Sequence, residues 1–167
     1  QDNPYRKVIN GLDESHPLTR TRFAPNLFLR WAIPRAKVVL EPRYRYYVDD
    51  WGIVGHLVDA RVHVRPLRHL ILRARYRFYT QTAADFWRDD GVYGANDPYR
   101  SADPKMSAFH SHTPGGQVVV ELDALARRVP AFAWLGGAWL EATYNHVFQT
   151  TRFGNARLGS ITFSMPF

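Results

Sequence analysis

Apolar and polar residues alternate along most of this chain with a period of two, the pattern of a β-strand with one apolar face. Clusters of turn-forming residues divide the pattern into segments. The seven segments are residues 18–33, 37–50, 53–65, 69–83, 105–123, 132–148 and 156–167. Most exceed the roughly five or six residues that are typical of strands in soluble proteins. The sequence therefore predicts an all-β fold of about seven long antiparallel strands.

The fourth segment shows the alternation most clearly, because Arg73, Arg75 and Arg77 fall on one face and apolar residues on the other. A helix would distribute three arginines at this spacing around its circumference. The second and third segments repeat the design. Alternation by itself fits a soluble sandwich, whose core is the apolar face, and also a membrane barrel, whose apolar face meets lipid.

The connections between the segments differ in length. Short links lie at residues 34–36 and 66–68, with a longer one at 126–131, whereas residues 84–104 form a long connection rich in Asp, Gly, Asn and Pro. Outer-membrane barrels have short periplasmic turns and longer extracellular loops. The alternation of lengths favours an antiparallel transmembrane β-barrel in the bacterial outer membrane, with residues 84–104 as a long extracellular loop.

The C-terminus gives this interpretation a direction. Ile161, Phe163, Met165 and Phe167 resemble the terminal-strand signal that the barrel-assembly machinery of Gram-negative bacteria recognises. If this end is periplasmic, residues 1–17 belong to an extracellular loop. Seven strands is an odd number, and an open sheet in lipid leaves unpaired edges. We therefore expect residues 1–167 to be the C-terminal portion of a longer barrel, closed by an N-terminal fragment or companion chain.

Composition leaves a second class of protein open. Apolar residues make up 46% of the chain and aromatic residues 14%, finely interleaved with Arg, and the formal net charge is +7. A soluble basic β-protein that binds nucleic acid would explain the charge and the aromatic residues. It would not explain the strand lengths or the terminal pattern, so we expect no nucleic-acid partner. Cysteine is absent, which excludes disulfides and thiolate metal sites.

The Arg-rich face is the main candidate for function. Surplus Arg in a water-filled interior favours anions, whereas an internal ion-pair network would instead hold a narrow barrel rigid. The chain is thus predicted to be an anion-preferring pore or a scaffold that anchors a partner such as a lipoprotein or periplasmic protein. The residues predicted to face the lumen are Arg22, Arg30, Arg43, Arg45, Arg61, Arg65, Arg73, Arg75 and Arg77, with Glu41, Asp59, Glu121, Asp123 and Glu141 as acidic partners.

His110 and His112 share one face of a predicted strand, a spacing that suits a transition metal. We expect them to face the lumen, where His63 and His146 approach, although solvated or hydrogen-bonded histidines are the more ordinary interpretation. Apart from this metal, no cofactor is expected. Lipid or lipopolysaccharide of the outer membrane is expected to contact the barrel. The pair formed by Ser111 and His112 lacks a nucleophile-elbow motif, so no enzymatic activity is expected.

Two long strings carry a family resemblance: residues 44–53, Tyr-Arg-Tyr-Tyr-Val-Asp-Asp-Trp-Gly-Ile, and residues 75–86, Arg-Tyr-Arg-Phe-Tyr-Thr-Gln-Thr-Ala-Ala-Asp-Phe. With residues 2–6 and 19–22, they resemble an uncharacterised bacterial outer-membrane barrel family, the domain of unknown function numbered three-five-seven-zero. The resemblance covers roughly the first two thirds of the chain and the terminal Phe. It implies a barrel fold and an outer-membrane location, in longer members with a further N-terminal region, and no established activity.

Overall fold

A single antiparallel sheet of nine strands forms the body of the molecule in the computed structural model, which describes residue 8, residues 11–151 and residues 153–165. From β4 onward each strand pairs with the next along the chain, so the all-β prediction is confirmed. The strands are β1 (Arg22–Phe23), β2 (Asn26–Phe28), β3 (Trp31–Ile33), β4 (Val38–Asp49), β5 (Val54–Leu67), β6 (Leu70–Gln81), β7 (Phe109–Glu121), β8 (Trp139–Gln149) and β9 (Ala156–Ser164).

Strands β1, β2 and β3 form one interrupted edge strand along β4. Their register is continuous, from Arg22 opposite Asp49 to Trp31 opposite Leu40. The ladder bridges the gaps, because the Tyr46 amide donates to the Pro25 carbonyl at 3.1 Å. A proline has no N–H to return such a bond, which weakens the ladder there. The first predicted segment is therefore one strand that begins at Arg22 rather than at residue 18.

The two edges of the sheet, β1–β3 and β9, do not pair with each other within the described residues. The sheet is therefore not closed, which is consistent with an incomplete barrel. No helix in the described part of the chain is long and apolar enough to cross a membrane.

The link between β7 and β8 is longer than predicted. Residues 122–138 contain the helix α1 (Asp123–Arg128) and a 3-10 helix (Pro130–Leu135), so β8 begins at Trp139 and the predicted strand start at residue 132 is wrong. Proline at the first helical position fixes a helical backbone angle, and Gly137, with φ of 76°, turns the chain back. The amide of Leu122 then donates to the Ala138 carbonyl at 2.8 Å and closes the link.

Connections collect at two ends of the sheet, here called the turn end and the loop end. The turn end holds residues 34–37, 68–69 and 122–138, and the loop end holds residues 50–53, 82–108 and 150–155. At the loop end, residue 8 and residues 13–20, 49–53 and 82–108 form a packed unit, here called the loop cluster. Its interior contains Val8, Ile53, Ala84 and Tyr93, each at most 3% exposed.

Candidate functional site

Cross-strand pairing assigns every strand residue to one of two faces, because directly paired residues point the same way. The face that carries the arginines, here called the polar face, is the more sheltered one, and the opposite apolar face is exposed. Asp59 on the polar face is 1% exposed, whereas Leu72 and Ile161 on the apolar face are 39% and 80% exposed. This distribution is the reverse of the one that a water-soluble sheet normally adopts.

The register brings all but one of the predicted arginines to strand positions on the polar face; the exception, Arg30, lies between β2 and β3 and ion-pairs with Glu41 at 3.3 Å. Their role in binding anions stays a prediction. The arginines on strands are Arg22, Arg43, Arg45, Arg61, Arg65, Arg73, Arg75 and Arg77.

Asp59, at the middle of β5, is the centre of the arginine network. Its Oδ1 accepts a hydrogen bond from Arg61 Nε at 3.0 Å, and its Oδ2 accepts from Arg75 Nε at 3.0 Å and from Arg77 Nε at 3.2 Å. One carboxylate thus serves three guanidinium groups on two neighbouring strands. The network ties β5 to β6 and retains a local excess of positive charge.

Further pairs lie towards the turn end. Glu41 accepts from His63 Nε2 at 3.0 Å, and Glu121 accepts from Arg65 Nη2 at 2.8 Å across two strands. Arg73 finds a neutral partner, because its Nη1 donates to Gln117 Oε1 at 2.5 Å. Its Nε is buried with no hydrogen-bond partner within the described residues.

Two of the predicted acidic partners have no ion pair with an arginine among the described residues. Glu141 lies on the polar face of β8, where it accepts a hydrogen bond from Thr143 Oγ1 at 3.5 Å. Asp123 is not on the sheet at all, which corrects its prediction. It begins α1 and accepts a hydrogen bond from the Gly137 amide at 2.8 Å, so it closes the link between β7 and β8.

Three of the four histidines predicted to share the polar face lie on the opposite face. His110 pairs with Thr80 and His112 with Phe78, so both belong to the apolar face, while His63 is on the polar face with Arg73. The pairing of Phe109 with Gln81 explains the difference. Gln81 is on the polar face, so Phe109 is on it too, and the even-numbered His110 and His112 point the other way. The expectation that His110 and His112 face the same side as His63 is therefore wrong.

The apolar-face histidines make local hydrogen bonds near the loop end. Tyr44 Oη lies 2.7 Å from His56 Nδ1, and Tyr76 Oη lies 2.6 Å from His112 Nδ1. His146 is on the same face and stacks on Phe148 at 3.9 Å between ring centroids. Across residue 8 and residues 11–151 and 153–165, no group of three or more His, Cys, Asp or Glu side chains is placed to hold a metal ion. Metal binding by His110 and His112 stays a prediction.

Sequence reasoning missed a second buried carboxylate, Asp49 at the end of β4. It accepts from Arg20 Nη2 at 2.5 Å, from Tyr47 Oη at 2.6 Å and from the Trp51 and Ile53 amides, both at 3.0 Å. The guanidinium of Arg20 also lies 4.3 Å from the centre of the Trp51 ring. The Asp-Asp-Trp-Gly turn is the sequence signal for this hub, which anchors the loop cluster to the sheet.

The structure covers three of the four residues of the predicted assembly signal. Ile161 and Phe163 lie on the apolar face of β9, paired with Ala142 and Leu140, and both side chains are exposed. Met165 follows the end of β9. Phe167 lies outside the described residues, so the signal as a whole stays a prediction.

Comparison with known proteins gives one finding. Residues 2–128 match the family described as "Protein of unknown function (DUF3570)". The match confirms the predicted domain family, whereas the outer-membrane location that the resemblance implies stays a prediction. Neither the curated proteins nor the solved structures provide a match.

Proposed function

The chain belongs to the DUF3570 family of proteins of unknown function, and we propose that its sheet is a portion of an outer-membrane β-barrel with a positively charged interior that favours anions. The observation that supports this proposal is the inverted sheet, with exposed apolar side chains on one face and sheltered charges on the other. Lipid is the environment in which such a sheet is stable, because apolar side chains then avoid water and charges avoid lipid.

The apolar face has no other cover. Among the described residues, no helix or second sheet packs on it, since the strands contact only their neighbours and α1 contacts the adjoining 3-10 helix. This face also carries no carboxylate: the apolar-face positions of β4 to β9 hold no Asp or Glu. Contiguous apolar surface spread over six strands far exceeds what a soluble monomer exposes to water.

The open edges favour completion by further strands. Unpaired N–H and C=O groups in a lipid bilayer cost several kcal/mol each, so edge strands β1–β3 and β9 need partners there. We propose that an N-terminal piece of a longer protein or a companion chain supplies them, which makes the polar face the wall of an enclosed lumen. Intact-mass spectrometry of the native protein and of everything that copurifies with it tests this, since the proposal requires either a chain longer than residues 1–167 or a companion with strand-forming segments.

Anion preference follows from the charges on that wall. Arg22, Arg43 and Arg45 have no ion pair with a carboxylate in the described ranges, and Asp59 serves three further arginines. Surplus positive charge along a narrow aqueous path attracts anions and repels cations. Reversal potentials in planar bilayers under a salt gradient test the preference, and cation selectivity would contradict it.

A scaffold without conductance is the second candidate, and the Asp59 network favours it. One buried carboxylate that binds arginines of two strands stiffens a wall, which suits a barrel that anchors a partner protein at one of its ends. Complete absence of current in bilayers, together with stable capture of a lipoprotein or periplasmic partner, would favour the scaffold over the pore.

Membrane insertion itself has a direct test. A folded outer-membrane barrel resists detergent until it is boiled, so unboiled and boiled samples migrate differently on a gel. We expect this heat-modifiable migration and recovery of the chain in the outer-membrane fraction. A chain that stays monodisperse without detergent would instead favour the soluble nucleic-acid-binding alternative.

A further inference from the structure

We propose that a pocket in the middle of the polar face is a binding site for a phosphate group. The pocket has a volume of about 230 Å³, and β5, β6, β7 and β8 contribute to its walls. The inference rests on the proposed anion preference of the polar face and gives that preference a location. Its main lining residues are Arg61, His63, Arg73, Arg75, Gln117 and Asn145.

The register of the sheet builds this pocket from two adjacent rows. One row runs from Arg61 through Arg75 and Gly115 to Asn145, and the other from His63 through Arg73 and Gln117 to Thr143. Gly115 has no side chain, and Asn145 fills that space, since a Cβ at Gly115 would lie 2.1 Å from Asn145 Oδ1. The pocket therefore lies between the arginines of β5 and β6 on one side and the polar residues of β7 and β8 on the other.

Charge in the pocket is unbalanced. Arg61 and Arg75 share the single carboxylate of Asp59 with Arg77, and His63 is bound to Glu41. Arg73 contributes a further positive charge whose described hydrogen bond goes to the neutral Gln117.

The Arg73 Nε atom is buried and has no hydrogen-bond partner within the described residues. An unsatisfied buried donor costs free energy. The Arg73 side chain as a whole is only partly buried, so a small rotation of its guanidinium would turn this donor towards the pocket. A bound anion would then accept from it and neutralise part of the surplus charge.

The donors favour a polyatomic oxyanion over a halide. Guanidinium groups present forked N–H donors that match two oxygens at once, and the side-chain amides of Gln117 and Asn145 add neutral donors on other sides. One water molecule occupies roughly 30 Å³ in the liquid, so the pocket has room for a phosphate group and several waters. A phosphate group can reach several of these donors together, whereas a single chloride ion reaches fewer.

Equilibrium dialysis of the full chain, purified in detergent with whatever copurifies with it, tests the site. The probes are inorganic phosphate and glycerol 3-phosphate, which separate free phosphate from a phosphate monoester as the ligand. We expect saturable binding of at least one probe. Replacing Arg73 by Gln should weaken it about tenfold or more, because a charge-assisted donor is lost.

The matched control is Arg68→Gln, which removes the same charge in the turn between β5 and β6, outside the pocket. The phosphate affinity of the Arg68→Gln variant should stay within about twofold of that of the unchanged chain, because salt screens the effect of distant exposed charges. Asn145→Asp, which adds a negative charge to the pocket at nearly constant size, should abolish binding. Equal weakening by the Arg73 and Arg68 variants, or no saturable binding by a chain whose circular dichroism shows folded β-structure, would overturn the proposal.

The two proposals fail separately. Dialysis measures the pocket without a membrane, so saturable phosphate binding by a chain that needs no detergent would contradict the barrel and leave the site standing. Heat-modifiable migration without phosphate binding would contradict the site alone.

Discussion

The sheet and the loop cluster sort their side chains in opposite ways. In the loop cluster, Val8, Ile53 and Tyr93 are buried, as in an ordinary water-soluble domain. In the sheet, the large apolar side chains are exposed and Asp59 is 1% exposed. The same chain therefore follows two rules of burial. The proposed barrel accounts for the difference, because it places the loop end in water and the apolar face of the strands in lipid.

The carboxylates of the two regions also differ in how they are paired and in how far their ion pairs are exposed to water. Asp59 sits among three arginines that hold it against the sheet. In the loop cluster, the partly exposed Asp97 pairs with the exposed Arg88 at 3.2 Å. A sheltered ion pair is strongly destabilised when one partner is removed, but an exposed pair contributes little. Paired substitutions, one in each region, therefore test whether the two regions differ in this way.

The largest effect is expected from Asp59→Asn, set against Asp97→Asn. Loss of the Asp59 charge leaves three guanidinium groups without their shared carboxylate, and we expect about 3 kcal/mol of lost stability. The Asp97→Asn substitution should lower the stability by less than about 1 kcal/mol, because its ion pair with Arg88 is partly exposed to water. Urea unfolding of each variant in lipid vesicles provides the free energies. Similar losses at both positions would show that the Asp59 network is no more sheltered than the loop surface.

Next comes a matched pair of exposed leucines, Leu72→Arg and Leu18→Arg. Leu72, on the apolar face, is 39% exposed, and Leu18, on the surface of the loop cluster, is 104% exposed. If the apolar face meets lipid, Arg at position 72 should cost about 2 kcal/mol, below the cost at the membrane centre because Leu72 lies near the turn end of β6. Arg at position 18 should stay within about 0.5 kcal/mol. The measurement is the same unfolding series in vesicles. A neutral Leu72→Arg variant would argue that water, not lipid, covers this face.

Gly52→Ala should have an intermediate effect, confined to the loop cluster. Gly52 has φ of +83°, and a Cβ there would lie 2.1 Å from Asp85 Oδ1. Backbone strain and this clash together should cost about 1–3 kcal/mol and loosen residues 82–108. Limited proteolysis should then cut this segment sooner.

The control for that change is Gly154→Ala. Gly154 has φ of +70°, but a Cβ there would meet nothing within 4 Å among the described residues, so the substitution adds backbone strain without a clash. Equal proteolysis of residues 82–108 in both variants would mean that contact with Asp85 does not hold the loop cluster together.

The smallest effect concerns the apolar-face hydrogen bonds. Tyr76→Phe removes the bond between Tyr76 Oη and His112 Nδ1, and we expect a loss of about 0.5–1.5 kcal/mol. Tyr144→Phe is the matched control, because no hydrogen bond of the Tyr144 hydroxyl is found among the described residues and the ring lies on the same face. Unfolding in vesicles should separate the two variants, and an equal response would show that the bond to His112 contributes nothing.

Local alternation was sufficient to predict the arginine face. Arg73, Arg75 and Arg77 alternate with apolar residues so regularly that no pairing partner is needed to assign them. Residues 109–117 of β7 lack that regularity, because His, Ser, Thr, Pro, Gly and Gln follow one another without an apolar rhythm. Their parity came from hydrogen bonding to β6, which places His110 and His112 beside Thr80 and Phe78. A one-residue shift reverses every face, so weak alternation cannot determine it.

The link between β7 and β8 and the Asp49 hub depended on more distant contacts. Phe132 and Trp134 continue an apolar alternation, yet Pro130 and the glycines after Leu135 direct these residues into a 3-10 helix. Asp49 gains its partners from Arg20, which is far away along the chain, and from the backbone of its own turn.

The sequence by itself determined the period of the strands, the composition of each face and the family, because side-chain alternation is a local property of an extended chain. Contacts between distant segments depend on the fold: three arginines meet at Asp59, the Arg73 Nε atom is left without a partner among the described residues, and His110 and His112 lie on the apolar rather than the polar face. These outcomes depend on cross-strand register, and register is established by pairing between segments that lie far apart along the chain.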